Sequence, residues 1–227
     1  MNDSRSRGIL RLKHLREVTE AKGEEMAEQR ERFQRLARED SAPRVVSSHN
    51  LFQTPPELAA RLVALASDGR GLGRLLEPSA GLGRIYNAVR AVDRAAPVVL
   101  VDVSPECAGE LYRATEGDGA AELVVADFLT IGTDRLGRFD TVVMNPPFSE
   151  GAKHLLKAWD FLHAGEIVCL LNQETIDNPY TEERKRLAEL IAEPANVESL
   201  GPCFSKSERS TDVHVAMVYL KKENEDD

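Results

Sequence analysis

The chain predicts an α/β protein: a doubly wound, mostly parallel sheet with an antiparallel strand at one edge, preceded by a helical extension. Three observations carry that expectation. Short, nearly continuous apolar strands such as "VVLVDV" at 98–103, "FDTVVMN" at 139–145 and "EIVCLLN" at 166–172 alternate with helical stretches, and a strand covered by helices on both faces is buried on both sides. The last strand, "DVHVAMVYL" at 212–220, instead alternates and follows a turn-rich segment, which fits an antiparallel edge. Between a strand and a helix, "LLEPSAGLGRI" at 75–85 supplies Gly81 and Gly83, residues that let a backbone turn tightly and approach a ligand closely.

Residues 8–40 read as a long charged helix with strong helix formers, no proline and many Glu to Lys/Arg neighbours. Its apolar stripe is thin: Leu12, Leu15, Met26, Phe33 and Leu36 fall near heptad positions, but Thr19, Lys22 and Gln29 occupy seam sites. Three readings stand for it: a helix packed on its own domain or a partner subunit, an arm facing nucleic acid, or a solvated arm. "SAPRVVSSHN" makes a linker, so the chain divides into an extension at 1–47, an α/β domain at 48–221 and an acidic tail at 222–227. Within the domain the pattern predicts helices near 55–67, 82–93, 105–115, 151–162 and 181–192. Strands are predicted at 73–77, 98–103, 121–127, 139–145, 166–172 and 212–220.

With 227 residues and 42% hydrophobic content, the chain is long enough for one sizeable core. No apolar run approaches the roughly 20 residues of a membrane span. The polar start "MNDSRSRGIL" lacks the apolar region of a secretory signal, so a cytoplasmic protein without a membrane partner is expected. Cys107, Cys169 and Cys203 are widely spaced, without nearby histidine ligand spacing, which indicates neither a disulfide framework nor a metal site. The net charge of -9 argues against a surface that binds nucleic acid everywhere. Residues 1–44 hold 11 basic and 9 acidic side chains, leaving 18 and 29 in the remainder, so any basic footprint is local, and "SRSRGILRLKHLR" is its densest candidate.

The chemistry-bearing residues sit at predicted strand ends. The turn after the first strand is either a helix-capping turn or a ligand turn exposing unpaired helix N–H groups. Glu77 at its mouth disfavours a phosphate and suits a cation, such as a ligand carrying an ammonium and a sulfonium. Asp102 ends the next strand, nineteen positions after Gly83, where an acid can accept from both ribose hydroxyls. Asp127 ends the third and can accept an exocyclic amine, with Phe128 beside it to cover an adenine face. Either aspartate could instead cap a helix. Ligands of such sheets bind outside the carboxyl ends of the strands, so these ends converge on an adenosine-shaped site. The fourth, "TVVMNPPFSE", runs into Asn145, Pro146, Pro147 and Phe148. Two prolines end the ladder and stiffen the adjoining loop, as a simple turn or as a rigid polar and aromatic site.

Taken together, these residues resemble the class I S-adenosylmethionine-dependent methyltransferases, which have a Rossmann-like seven-stranded sheet. They are similar more narrowly to the adenine N6-methyltransferases whose catalytic motif is Asn-Pro-Pro-Phe or Tyr. "LFQTPPELAARLV", "EPSAGLGR", "VDVSPE", "VADF" and "NPPF" stand in the gamma motif order of that family over about 48–220. The resemblance implies S-adenosylmethionine as cofactor, with Gln53 and Thr54 at its methionine end and Glu77, Ser79, Gly81 and Gly83 shaping its turn. Asp102 would hold the ribose, and Asp127 with Phe128 the adenine. Asn145 Oδ1 and the Pro146 carbonyl would accept the protons of the target amine, and Phe148 would stack on the base. Phe204 is either a second wall of the substrate pocket or a core anchor, while Lys153, Lys206 and Arg209 either meet phosphates or are solvated.

The implied activity is methylation of adenine N6 in DNA. RNA adenine, a protein glutamine amide, or an inactive scaffold that uses the amino-terminal helix to join a partner or a second copy are the rivals. The family commonly carries a separate target-recognition domain, and only an acidic stretch follows the closing strand here. The compact form resembles stand-alone enzymes of phage or mobile-element type.

Overall fold

The interior strands divide their side chains between two cores, and that division places the functional edge. The computed structural model describes residues 53–67, 71–192, 196–204 and 212–223, all within one compact unit, Val46–Asp227. The expected helix at 8–40, its linker and residues 224–227 of the tail lie outside the described residues.

Seven strands form one sheet: β1 (Leu75–Glu77), β2 (Val98–Asp102), β3 (Ala121–Val125), β4 (Phe139–Met144), β5 (Leu162–Asn172), β6 (Val197–Gly201) and β7 (Val215–Lys222), in the order β3-β2-β1-β4-β5-β7-β6. The helices are α1 (Pro56–Ser67), α2 (Arg84–Val92), α3 (Pro105–Ala114), α4 (Thr133–Leu136), α5 (Gly151–Phe161), α6 (Gln173–Asp177) and α7 (Glu182–Leu190). Strands β1 to β5 pair in parallel, while β7 is antiparallel to β5 and β6.

Because successive strand residues point to opposite faces, Leu76, Val99, Val101, Val142 and Ile167 pack on one side with Leu155 and Ala158 of α5 and Leu187 of α7. Leu75, Val98, Leu100, Val143 and Val168 pack on the other with Leu62 and Val63 of α1 and Ile85 and Val89 of α2. Each such buried valine, leucine or isoleucine is worth about 1.5–3 kcal/mol. Strands buried on both faces read as apolar runs, which is why the sequence pattern located them.

Helix boundaries obey local chemistry. Ser104 caps α3, its Oγ accepting from Cys107 N at 3.3 Å, with Pro105 at the first helical position. Thr181 caps α7 by accepting from Arg184 N at 3.2 Å. These match the helix-start chemistry of Ser/Thr caps and early prolines.

Several features depart from the sequence expectation. The antiparallel strand expected at the end of the sheet is β7, and it lies one place in, between β5 and the outermost β6. Strand β6, "VESLG", was not expected: half-exposed and partly polar, it carries no strand pattern of its own and forms because β7 offers an open edge. Arg61 of α1 reaches Glu198 of β6 with a two-pronged contact at 2.6–2.7 Å. Strand β5 begins at Leu162, not 166, directly after α5. Gly165 permits this, since a Cβ there would collide with the Asp140 carbonyl oxygen. Strand β3 ends at Val125 and β4 at Met144, so Asp127 and Asn145 stand just beyond their strands.

The strand order reverses between β1 and β4: β1, β2 and β3 run outward on one side, β4 and β5 on the other. A crevice opens at such a switch point, at the carboxyl ends of the strands. No described helix is long and apolar enough to cross a membrane.

Candidate active site

The turn after β1 is built by its hydrogen bonds. Gly81 and Gly83 adopt φ of 54° and 76°, the left-handed region that side chains disfavour, and Gly83 N donates to Ala80 O at 2.9 Å. The turn is then stapled to the neighbouring strand. Ala80 N donates to Val101 O at 3.0 Å, and Gly81 N donates to Asp102 Oδ2 at 2.7 Å. Gly83 serves packing as well: a Cβ there would press on Leu111 Cδ2 at 3.2 Å.

Asp102 is half-buried and its other oxygen accepts from Ser104 N at 2.8 Å. Burial raises its carboxyl above the usual range, and the N–H groups of Ser104 and Gly81 pull it back. Behind it Glu77 is 1% exposed. Burial first, then the neighbouring Asp102 charge, push the Glu77 carboxyl well above the usual range against one hydrogen bond from the Tyr86 backbone. Its Oε2 has no hydrogen-bond partner among the described residues. Burying a polar atom in that state is costly, so a cationic ligand that reaches it recovers the cost.

These groups line one cavity of about 270 Å³ together with Gln53, Thr54, Ser79, Gly81, Asp127 and Phe128. Asn145, Pro146 and Pro147 close it from the β4 side. Asn145 Nδ2 donates to Thr54 Oγ1 at 3.1 Å, a contact spanning 91 positions that turns the amide oxygen away from Thr54. Thr54 is 5% exposed, so the motif before α1 and the loop after β4 are locked together inside the protein.

Asp127 both caps and faces the site: its Oδ1 accepts from Leu129 N at 2.9 Å, and the residue lines the cavity. The two readings open in the sequence, cap and ligand acceptor, are therefore compatible.

One expected placement needs correction, and one left open in the sequence is decided. Phe128 touches the cavity wall but is 2% exposed, with its ring 5.4 Å from Phe161 and 5.9 Å from His154. It belongs to the core and presents no open face. Phe204 is fully buried and meets Phe148 in a T-shaped contact at 5.8 Å. It therefore supports Phe148 and is no wall of a pocket. Phe148 and Gly83 lie beside the cavity, Phe148 half-buried against the α1 side of the sheet. Lys206 and Arg209 lie outside the described residues, and Lys153 pairs with Glu150 at 3.4 Å.

Sequence reasoning missed Val103, Glu150 and His154, all lining the cavity. Val103 is 66% exposed, an apolar surface between two acid-bearing strand ends. Its signal was present, since an apolar residue immediately past a strand-ending aspartate must stand at the sheet's edge. His154 had none, because it comes from α5, which tertiary packing brings over the crevice, whereas Glu150 stands two residues past Phe148 in the loop the sequence singles out.

The donor set fits a ligand with a cation at one end and a diol-bearing purine nucleoside at the other. The lining offers carboxyl groups at Glu77, Asp102 and Asp127 and an exposed apolar surface at Val103. Beside the buried Glu77, the lining carries Asp102, Asp127 and Glu150 against Arg84, a balance that favours a positive ligand.

The folded Glu77 carboxyl binds its proton more tightly than the unfolded one, so its contribution to stability is full below about pH 4.5. It is lost as pH rises through the unfolded value toward the raised folded one. Glu77→Gln is therefore expected to raise the melting temperature of the ligand-free protein at about pH 7.5, with the gain shrinking toward about pH 4. The same variant should bind a ligand that places an ammonium at this carboxyl about 10- to 100-fold more weakly, the worth of one hydrogen bond to a charged group. Calorimetry and thermal unfolding across pH check both.

No family model and no curated protein sequence matches the chain. Solved structures do. A candidate RNA methyltransferase from Pyrococcus horikoshii aligns with a TM-score of 0.55 at 20% identity, over 84% of this chain and 98% of that one. The 23S rRNA methyltransferase ErmE aligns with a TM-score of 0.55 at 17% identity, over 76% and 70%. The N-methyltransferase NodS from Bradyrhizobium japonicum, in complex with S-adenosyl-L-homocysteine, aligns with a TM-score of 0.56 at 14% identity, over 74% and 87%. Identities of 14–20% carry the architecture and nothing finer: the chain is built on the Rossmann-like methyltransferase fold.

Proposed function

We propose that the protein transfers a methyl group from S-adenosylmethionine to the exocyclic N6 amine of an adenine in nucleic acid, with DNA as the polymer. The observation that carries this reading is the Asn145-Pro146-Pro147 edge on the cavity that Glu77, Asp102 and Asp127 also line. S-adenosylmethionine, when bound, supplies a methyl group already activated on a sulfonium. The cavity's acidic lining and the orphaned Glu77 oxygen support that cofactor, as does the S-adenosyl-L-homocysteine held by a protein of the same fold.

An adenine amine is a poor nucleophile because its lone pair is delocalised into the ring. Asn145 Oδ1 and the Pro146 carbonyl can accept hydrogen bonds from its two N–H groups and favour a pyramidal nitrogen, and the proton displaced on methylation passes to solvent. Thr54 orients the amide, and the prolines keep both acceptors from drifting. Positioning and fixed dipoles thus carry the step. A base in a duplex must first leave the stack, at a cost of a few kcal/mol. Phe148, backed by Phe204, returns about 1–3 kcal/mol by stacking on it.

RNA is the second reading, because two of the similar structures are named for RNA. Labelled S-adenosylmethionine incubated with DNA, RNA and protein fractions tests both. Label in N6-methyladenine of DNA is the expected result; label confined to RNA or to glutamine moves the activity to that polymer, and no label in any fraction removes the enzymatic reading.

A further inference from the structure

His154 is a cavity residue to which the methyl-transfer mechanism gives no task. It is 5% exposed and lines the cavity from the first turn of α5. Its Nδ1 lies 3.2 Å from Glu150 O, one turn back in the chain. A carbonyl oxygen only accepts, so Nδ1 holds the proton and the neutral ring carries its lone pair on Nε2. With Nδ1 engaged by the helix backbone, Nε2 is the ring nitrogen available to a ligand in the cavity that the residue lines. Phe128 fixes the ring at 5.9 Å between centroids, directly after Asp127 in the chain.

We propose that His154 is a positioning residue for the cofactor's adenine: Nε2 accepts one N6 proton while Asp127 accepts the other, so this end of the cavity selects a 6-amino purine over a 6-oxo purine. The inference rests on S-adenosylmethionine being the cofactor. Burial holds the imidazole below its ordinary value of 6.5, with the Glu150 carbonyl and the charges of Glu150 and Asp127 opposing and Lys153 assisting. The ring is therefore neutral, and Nε2 an acceptor, at about pH 7.5. Below that lowered value Nε2 gains a proton and becomes a donor facing a donor, so adenine binding weakens as pH falls.

The test is calorimetric binding of S-adenosylhomocysteine and its inosine analogue, which carries a 6-oxo group, to the full chain and to His154→Gln and His154→Phe. At about pH 7.5 the wild type is expected to prefer the adenosine ligand by at least about tenfold, as a site built to take an amine proton should. His154→Phe should erase most of that preference. His154→Gln, whose amide oxygen can accept in the same region, should restore part of it. From about pH 7.5 to about pH 5, wild-type affinity should fall more steeply than that of His154→Gln. Glu77 and Asp102 titrate in both proteins, so the difference reports His154.

An unchanged preference in His154→Phe, or superimposable pH lines, overturns the assignment. If His154→Phe does not fold, the His154→Gln pH comparison still decides. A wild type that binds neither ligand overturns the cofactor itself, whereas binding with unchanged selectivity removes only the role of His154.

Discussion

Asn145→Ala is expected to lower methyl transfer by roughly 10²- to 10³-fold, the usual cost of removing one preorganised polar group from a transition state. Affinity for S-adenosylhomocysteine should change by less than about threefold, because the predicted loss lies in the reacting geometry and not in cofactor binding. Single-turnover transfer and calorimetry separate the two, and near-normal turnover would refute the assigned role. The variant also removes the donor to Thr54 Oγ1, so a stability loss of about 1 kcal/mol should accompany it. Asn145→Asp distinguishes the contributions. It keeps an acceptor oxygen, and the Thr54 hydroxyl can donate in place of accepting, so it should retain more transfer than the alanine variant.

Asp102→Ala should produce the second large effect, and in the opposite parameter. The carboxylate offers acceptors to a ribose, but it also holds Gly81 N at 2.7 Å and Ser104 N at 2.8 Å. Its loss therefore removes ligand contacts and releases the glycine turn at once. Cofactor affinity should fall about 100-fold or more, equivalent to two hydrogen bonds of ordinary strength. Leaving the two N–H groups unpaired should cost a further ~1–3 kcal/mol of folding stability. Asp102→Asn keeps one acceptor oxygen and should fall between. Binding calorimetry with denaturant unfolding checks this, and an Asp102→Ala protein of wild-type stability would show that the staple to Gly81 contributes nothing.

Much of this site was legible in the chain because its residues stand where strands end. A strand buried on both faces announces itself by an unbroken apolar run, and the first polar residue after it must lie at the sheet's edge. That reasoning located Glu77, Asp102, Asp127 and Asn145, which line a single cavity. It failed for Phe128, expected to cover an adenine face, and it left Phe204 open between a pocket wall and a core anchor. An aromatic near a site looks the same in sequence whether it packs inward, as Phe128 and Phe204 do, or stands free. It failed also for β6, whose partly polar "VESLG" is a strand by virtue of its neighbour β7.

The amino-acid order alone settled the layered α/β architecture and the succession of acids at strand ends, because burial on two faces and breaks by Gly and Pro are local constraints written residue by residue. Folding in three dimensions settled which of those residues meet. The Asn145 to Thr54 hydrogen bond, the Asp102 staple on Gly81 and the packing of the His154 imidazole on Phe128 all join segments distant in the chain. Such contacts depend on strand order and helix packing, and no local pattern records them.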